Sequence, residues 1–168
     1  MKSLVIYFSR NGENYMEDGV RNIDKGNTEI VAEAIRDLVK ADLYKVTPIK
    51  EYPYNYQECC NVAKEEIENN IKAGIKGDVP NIEDYDVIYV GGPIWWGHYP
   101  CALLGVLEKL DFSNKIILPF STHEGSGLGG IMEDVSKYCT GSDIRNGLAI
   151  RGCRAKDAKD VLERWCLK

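Results

Sequence analysis

Short apolar runs alternate along this chain with longer amphipathic stretches, and this alternation limits the possible folds more than any other feature. Residues 3–8 are apolar at consecutive positions, as expected for a strand that is covered on both faces. Residues 27–40 repeat their apolar side chains at helical spacing. Strands that alternate with helices in this way form a parallel sheet between two helical layers. We therefore predict an α/β fold, a three-layer sandwich with a doubly wound, five-stranded parallel sheet and helices on both faces.

The same pattern continues to the end of the chain without an internal repeat or a low-complexity linker. A chain of 168 residues with 44% apolar content can bury one core and is short for two, so we predict a single domain over residues 1–168. The predicted strands cover residues 3–8, 41–48, 85–92, 115–122 and 143–150, and the predicted helices cover about residues 27–40, 60–71, 102–110, 128–135 and 158–165.

Charge and hydropathy exclude two classes of partner. The chain has 26 acidic and 21 basic residues, a net charge of -5, and lacks a run of lysine or arginine that could follow a phosphate backbone, so we expect no nucleic acid partner. It has neither a signal-peptide pattern nor an apolar run long enough for a bilayer, which predicts a cytoplasmic protein without a membrane partner. The acidic excess suits either solubility or docking to a basic protein surface.

Cysteine and histidine usage argues against disulfides and a metal site. The six cysteines contain no C-x-x-C pair, and only two histidines are present, so we expect reduced thiols and no metal. The segment from Cys139 to Arg145 has the C-x5-R spacing of a phosphatase loop. That chemistry needs a strand before the loop and a helix after it, whereas here a helix is predicted before the loop and a strand after it.

In a doubly wound sheet, ligands bind beyond the carboxyl ends of the strands, where the strand order reverses. The loops after the first, third and fourth predicted strands are therefore the candidate site. They cover residues 9–29, 91–100 and 121–130.

The first of these loops has the composition of an anion site. Hydroxyl and amide side chains and the "GNT" sequence come directly before a helix, whose N-terminal N–H groups attract negative charge. We name Ser9, Arg10, Asn27 and Thr28 as candidate phosphate donors, with helix capping as the alternative role for Asn27 or Thr28. Neither a P-loop nor a G-x-G-x-x-G motif is present, which argues against nucleoside triphosphates and dinucleotides.

The second loop holds two adjacent tryptophans in "GGPIWWG", residues 91–97. Core packing is the usual role of tryptophan, but glycine and proline shape this segment into a turn just past a strand end, where a planar ring can be received. Adjacent side chains point in different directions, so at most one of the pair is expected to stack on a ligand. We favour Trp95 at the ligand and Trp96 as its support.

The third loop, "STHEGSGLGG" at residues 121–130, combines hydrogen-bonding groups with glycine freedom. It suits the edge of a polar ring system, and a simple flexible loop is the alternative. No nucleophile motif accompanies His123, so a hydrogen-bonding role is favoured over a catalytic one.

Taken in order, "VIYFSR", "GNT", "GGPIWWG" and "PFSTHEGSG" resemble the flavodoxin family over essentially the whole chain, and in particular its bacterial flavodoxin-like branch with a Trp-Trp-Gly loop. The resemblance implies a flavodoxin-like fold that binds flavin mononucleotide (FMN). It implies phosphate contacts from Ser9, Arg10, Asn27 and Thr28, one side of the flavin ring against Pro93, Ile94, Trp95, Trp96 and Gly97, and the other side or edge against Thr122, His123, Glu124, Gly125 and Ser126.

The resemblance implies a low-potential electron-transfer protein that docks transiently to redox partner proteins, without catalytic residues of its own. The alternative on the same scaffold is an FMN-containing quinone or flavin reductase that uses NAD(P)H. A phospho-accepting receiver domain shares the fold but needs an aspartate after the third strand, where this chain has Pro93.

One segment departs from the family pattern. Residues 13–25 separate "SRNG" from "GNT", where most flavodoxins have a compact phosphate loop. We interpret the insertion either as a surface excursion or as a lid or docking element, because long unstructured loops are uncommon in compact domains.

Overall fold

The computed structural model describes residues 1–167, and strands and helices alternate along it as predicted. The helix predicted over residues 60–71 begins earlier, at Tyr56, where Asn55 caps it by accepting the backbone N–H of Glu58 at 3.0 Å. The strands are β1 (Ser3–Tyr7), β2 (Gly12–Met16), β3 (Gly19–Ile23), β4 (Asp42–Lys45), β5 (Val87–Pro93), β6 (Ile116–His123), β7 (Asp143–Ile144) and β8 (Leu148–Arg151). The helices are α1 (Asn27–Val39), α2 (Tyr56–Glu68), α3 (Cys101–Leu107), α4 (Ile131–Tyr138) and α5 (Lys159–Trp165), with a 3-10 helix at Gly152–Asp157.

The central sheet has the strand order β4-β1-β5-β6, and every neighbouring pair in it is parallel. The edge position beside β6 is shared by β7 and β8, which both pair with β6 in parallel. The predicted doubly wound α/β sandwich is confirmed, but its fifth strand, predicted as one segment over residues 143–150, is split in two. The order reverses between β1 and β5, so a crevice forms beyond their carboxyl ends.

Two apolar clusters lie on opposite faces of the sheet, which makes the fold three-layered. Along β1, Leu4 and Ile6 belong to the cluster that includes α3 and α4, whereas Val5 and Tyr7 belong to the cluster that includes α1 and α5. All four side chains are buried. The consecutive apolar residues of this strand therefore reflect burial on both faces, as predicted.

The insertion between β1 and α1 is not an unstructured excursion. Strands β2 and β3 pair as an antiparallel hairpin that forms a second, two-stranded sheet. Its register places Tyr15 opposite Val20 and Met16 opposite Gly19. No helix within residues 1–167 is both long enough and apolar enough to cross a lipid bilayer.

Candidate functional site

A cavity of about 530 Å³ opens at the carboxyl ends of β1, β5 and β6. The three loops that follow these strands meet there, and α2 and the β2–β3 hairpin complete the wall. Every predicted site residue except Gly97 lines the cavity. These residues are Ser9, Arg10, Asn27, Thr28, Pro93, Ile94, Trp95, Trp96, Thr122, His123, Glu124, Gly125 and Ser126.

At one end of the cavity, the chain closes tightly around the N-terminus of α1. Gly26 precedes the helix, and a Cβ atom at this position would lie 2.1 Å from the Ser9 hydroxyl oxygen and 2.7 Å from the Arg10 carbonyl oxygen. The Ser9 hydroxyl accepts the backbone N–H of Glu29 at 3.0 Å and so caps the helix. The backbone N–H groups of the first helical residues, Asn27 and Thr28, have no acceptor within the helix. They give this end of the cavity its positive potential.

The side chains of Asn27 and Thr28 do not cap the helix, so that alternative is wrong. The Thr28 hydroxyl forms a buried hydrogen bond of 2.7 Å with the hydroxyl of Thr122 at the end of β6. The Asn27 amide contacts the sulfur of Met16 at 3.4 Å and so reaches the hairpin. Each side chain therefore joins α1 to another wall of the cavity.

Arg10 is engaged with the backbone of the hairpin and of the segment before α2. Its guanidinium donates to the carbonyl of Glu13 and to the carbonyls of Pro53 and Tyr54, the latter two at 2.6 Å. The Glu13 carboxylate in turn accepts the backbone N–H of Tyr56, at the first residue of α2, at 2.8 Å. The sequence predicted a phosphate donor at Arg10, whereas its side chain in this structure holds the hairpin against α2.

The tryptophan loop is a two-residue turn. The backbones of Trp95 and His98 exchange hydrogen bonds of 2.8 and 3.1 Å, and the two residues between them, Trp96 and Gly97, have φ angles of 52° and 84°. Two positive φ angles are the requirement of a type I′ turn, which explains the glycine. The Gly97 carbonyl accepts the N–H of Gly130 at 2.6 Å, so this residue joins the second loop to the third and does not line the cavity.

The two tryptophans have different environments. The half-buried ring of Trp95 packs edge-on against Phe8 and Tyr52, with centroid distances of 5.2 and 4.8 Å. Trp96 is at the tip of the turn and is 54% exposed, and its indole N–H donates to the Cys60 carbonyl at 2.9 Å. Trp95 is therefore the more packed of the two and Trp96 the more exposed, and both line the cavity, so the assignment of the stacking ring to Trp95 stays a prediction.

A buried carboxylate on α4 positions the tryptophan loop. One oxygen of Asp134 accepts the backbone N–H of Tyr99 at 3.0 Å, and the other lies 2.9 Å from Nδ1 of His98. His98 is therefore a structural partner of Asp134.

Internal hydrogen bonds order the third loop. The Ser121 hydroxyl donates to the Gly127 carbonyl at 2.7 Å, and Nδ1 of His123 accepts the N–H of Gly125 at 2.9 Å. Desolvation and the nearby Arg151 guanidinium lower the pKa of His123 from its ordinary value of 6.5. The imidazole is therefore neutral at pH 7, as its accepting nitrogen requires.

The carboxylate of Glu124 lies at the α1 side of the cavity. Its Oε1 accepts the backbone N–H of Cys153 at 2.9 Å. A Cβ atom at Gly152 would lie 2.7 Å from this oxygen and 2.4 Å from the Asn27 amide nitrogen, so the missing side chain allows both groups to approach. The other oxygen, Oε2, is buried and has no hydrogen-bond partner.

Sequence reasoning missed the wall formed by α2 and the hairpin. The helical spacing in residues 60–71 predicted a helix but not which of its faces turns to the site. The rings of Tyr15 and Tyr56 are 6.2 Å apart. Burial is the largest cause that raises the pKa of Tyr56 to about 12 and of Cys59 to about 11, so both groups are neutral at pH 7. The lining residues absent from the prediction are Asn14, Tyr15, Tyr56, Gln57, Cys59, Cys60, Ala63 and Gly152.

Burial also raises the pKa of Cys139 to about 12. The thiol that begins the C-x5-R segment is therefore protonated at neutral pH, and it follows the end of α4. Both observations agree with the interpretation that this segment is not a phosphatase loop.

The chain is similar to known proteins in its sequence and in its fold. The sequence model described as Flavodoxin matches residues 20–167. A solved structure of a candidate flavoprotein from Bacteroides uniformis is 22% identical with a TM-score of 0.77, and covers 98% of this chain and 96% of its own. A second candidate flavoprotein, from Bacteroides eggerthii, is 25% identical with a TM-score of 0.71. The match covers 96% of this chain and 97% of the chain from Bacteroides eggerthii. A flavoprotein from Lactobacillus acidophilus in complex with FMN is 20% identical with a TM-score of 0.69, over 98% of this chain and 97% of its own. No curated protein sequence matches the chain.

Proposed function

This chain belongs to the flavodoxin family, and we propose that it binds FMN in the cavity at the carboxyl ends of β1, β5 and β6 and transfers electrons at low potential. The observation that supports the proposal most is the meeting of three strand-end loops at one cavity of about 530 Å³. That volume is typical of small-molecule sites, roughly 300 to 1,000 Å³. The flavoprotein from Lactobacillus acidophilus, which has the same fold, is solved in complex with FMN.

The α1 end of the cavity fits a phosphate group. The close approach of Gly26 to Ser9 brings the backbone of the first loop against the helix N-terminus, where free N–H groups can donate to an anion. The α1 helix has 13 residues, long enough for a full helix dipole. Ser9, Asn27 and Thr28 would hold the phosphate.

The opposite end of the cavity fits a flat aromatic ring. The exposed ring of Trp96, the side chain of Ile94 and the neutral wall of α2 offer apolar contact there. Hydrogen bonds to Asp134 and Gly130 hold the tryptophan loop in place, so it needs little rearrangement to receive a ligand.

When bound, FMN supplies the electron-accepting ring, and the protein tunes its potential. The residues of this chain bind and orient the cofactor and exclude water from it. The net charge of -5 disfavours further negative charge in the cavity, so reduction is harder and the potential is lower.

Both histidines take part in internal hydrogen bonds, which agrees with a carrier that lacks a catalytic acid or base. His98 is paired with Asp134, and Nδ1 of His123 already accepts a backbone N–H. Exposed aromatic rings at the cavity mouth, Trp96 and Tyr15, provide a surface for transient docking to a redox partner protein.

Titration of the purified apoprotein with FMN tests the proposal. We expect a yellow complex with quenched flavin fluorescence. Ser9→Ala should weaken FMN binding more than riboflavin binding, and Ser136→Ala, an exposed hydroxyl on α4, should change neither. A wild-type protein that does not bind FMN would refute the proposal.

A second assay separates the carrier from the reductase. The holoprotein is mixed with NADH or NADPH, with and without a quinone acceptor. The carrier proposal predicts negligible oxidation of either nucleotide by the protein alone. Rapid turnover would instead establish the reductase alternative.

A further inference from the structure

Glu124 has a buried oxygen that the protein leaves without a partner. Within residues 1–167, Oε2 of Glu124 is the one buried side-chain nitrogen or oxygen that lacks a hydrogen bond. Buried polar groups in native proteins are almost always paired, and an unpaired one costs stability. The other oxygen of the same carboxylate is fixed by the backbone N–H of Cys153 at 2.9 Å. Because Oε1 is fixed and Glu124 lines the cavity, the carboxylate that carries the unpaired oxygen is held at the cavity wall.

Its surroundings narrow the chemistry of a matching ligand group. Oε1 of this carboxylate and the amide of Asn27 both lie close to Gly152, which places Glu124 at the α1 side of the cavity. The missing partner must be a hydrogen-bond donor, because a carboxylate oxygen only accepts. A phosphate group cannot fill this role, since it is itself an acceptor and carries the same sign of charge. A hydroxyl group fits both requirements.

We propose that Oε2 of Glu124 accepts a hydrogen bond from a hydroxyl of the ribityl chain of FMN, so that Glu124 selects ligands that carry a sugar-alcohol chain. The inference rests on the proposed function, because the ribityl chain joins the phosphate at α1 to the ring at the tryptophan loop. The sequence predicts Glu124 at the other side or edge of the flavin ring, whereas its unpaired oxygen at the α1 side favours a contact with the ribityl chain.

A purely structural carboxylate would have both oxygens paired in the apoprotein. Here the unpaired oxygen destabilises the apoprotein, and a ligand hydroxyl would remove that cost on binding. When the charge of Glu124 is removed, FMN affinity should therefore fall while the stability of the apoprotein stays the same or rises. This opposition distinguishes a ligand-binding residue from a residue that only supports the fold.

Glu124→Gln is the informative substitution. Glutamine keeps an oxygen for the N–H of Cys153 and replaces the charged acceptor by a neutral amide. Binding of FMN, riboflavin and lumiflavin to the apoprotein is measured by fluorescence titration, and apoprotein stability by urea unfolding. Lumiflavin has the same ring system with a methyl group in place of the ribityl chain. Glu133→Gln, an exposed carboxylate on α4, is the matched control.

We expect Glu124→Gln to lower the affinity for FMN and riboflavin about tenfold, because hydrogen bonds to charged groups are about twice as strong as those between neutral groups. Lumiflavin affinity should change less than about twofold, as a contact to the chain alone requires. The apoprotein should be at least as stable as the wild type, and Glu133→Gln should match the wild type throughout.

Three results would overturn the inference. An equal loss of lumiflavin affinity would mean that the donor is on the ring. A joint loss of apoprotein stability and FMN affinity would mean that Glu124 is structural. Unchanged FMN affinity would mean that Glu124 makes no contact with the cofactor. Failure of the wild-type protein to bind FMN is a different outcome, because it refutes the proposed function together with the inference.

Discussion

Replacement of Gly26 by alanine tests how the chain forms the α1 end of the cavity. The backbone of Gly26 has φ of -63° and ψ of 145°, values that alanine adopts without strain. The added methyl group would nevertheless lie 2.1 Å from the Ser9 hydroxyl oxygen and 2.7 Å from the Arg10 carbonyl oxygen. The first loop must therefore move away from the helix, and the Ser9 hydroxyl can no longer accept the N–H of Glu29.

The size of the effect follows from these contacts. Overpacking of a close contact costs about 1 to 3 kcal/mol, and loss of a capping hydrogen bond adds about 1 kcal/mol. Alanine recovers about 0.5 kcal/mol, because it restricts the unfolded chain. The expected loss in the free energy of unfolding is about 1.5 to 3.5 kcal/mol, or roughly 3 to 14 °C in Tm for a chain of this size.

Ligand titration shows whether the same contact forms a phosphate site. Gly26→Ala should lower FMN affinity by about tenfold or more, because the displaced loop no longer closes on the phosphate. Riboflavin, which lacks the phosphate, should lose much less. Gly105→Ala is the matched control, since Gly105 is a buried glycine in α3 whose added Cβ would meet its nearest atom at 3.3 Å. Its stability should stay within about 1 kcal/mol of the wild type.

The reasoning would be refuted if Gly26→Ala unfolded at the same urea concentration as the wild type. It would also fail if FMN and riboflavin lost affinity equally, because the affected region would then not be specific for phosphate. A stability loss of the same size in Gly105→Ala would show that any added methyl group is poorly tolerated.

Other substitutions test the remaining walls of the cavity. Trp95→Ala should lower the free energy of unfolding in urea by about 2 to 3 kcal/mol, because the ring is packed. Trp96→Ala, at a residue that is 54% exposed, should mainly lower FMN affinity in a fluorescence titration. Identical behaviour of the two variants would contradict these separate roles. Arg10→Ala should make the β2–β3 hairpin more sensitive to proteolysis, while Arg21→Ala removes an exposed ion pair worth about 1 kcal/mol or less and should not; equal sensitivity would disprove the anchoring role. Because burial lowers the pKa of His123, the neutral form is favoured in the fold, so apoprotein stability should fall as the pH drops below 6.5 and the unfolded chain takes up the proton first. In His123→Gln, the urea midpoint should fall less between about pH 7 and 5 than in the wild type. An unchanged pH profile would show that His123 does not cause this pH dependence.

The three-layer structure could be predicted because a strand that is buried on both faces has apolar residues at consecutive positions, as β1 does. Leu4, Val5 and Ile6 are all apolar, and the structure divides them between the two cores. The position of the site followed from topology, since ligands bind beyond the carboxyl ends of parallel strands. Neither inference needs to know which residues distant in sequence are in contact.

The hairpin had a signal that the prediction did not use. The sequence has an Asp-Gly pair at Asp18 and Gly19, a common mark of a β-hairpin turn. In the structure the two turn residues are Glu17 and Asp18, and Gly19 is the first residue of β3. The segments are rich in polar residues and β3 is largely exposed, so they lack the apolar alternation that identifies most strands. Arg10 helps to hold the hairpin in place through the carbonyls of Glu13 and Pro53, and Pro53 is 43 residues away from Arg10, which a local pattern cannot show.

The sequence by itself determined the alternation of strands and helices around the central sheet, the burial of the sheet on both faces and the three loops at its carboxyl edge. These follow from the periodicity of apolar residues and from the geometry of parallel strands. Only the tertiary structure decided the role of each side chain in the loops. Trp95 packs against Phe8 and Tyr52, and Trp96 is exposed because it lies at the tip of a tight turn. Glu124 keeps one oxygen unpaired while the other accepts the N–H of Cys153. Such contacts join residues far apart in the chain, so their energies depend on packing that no local pattern encodes.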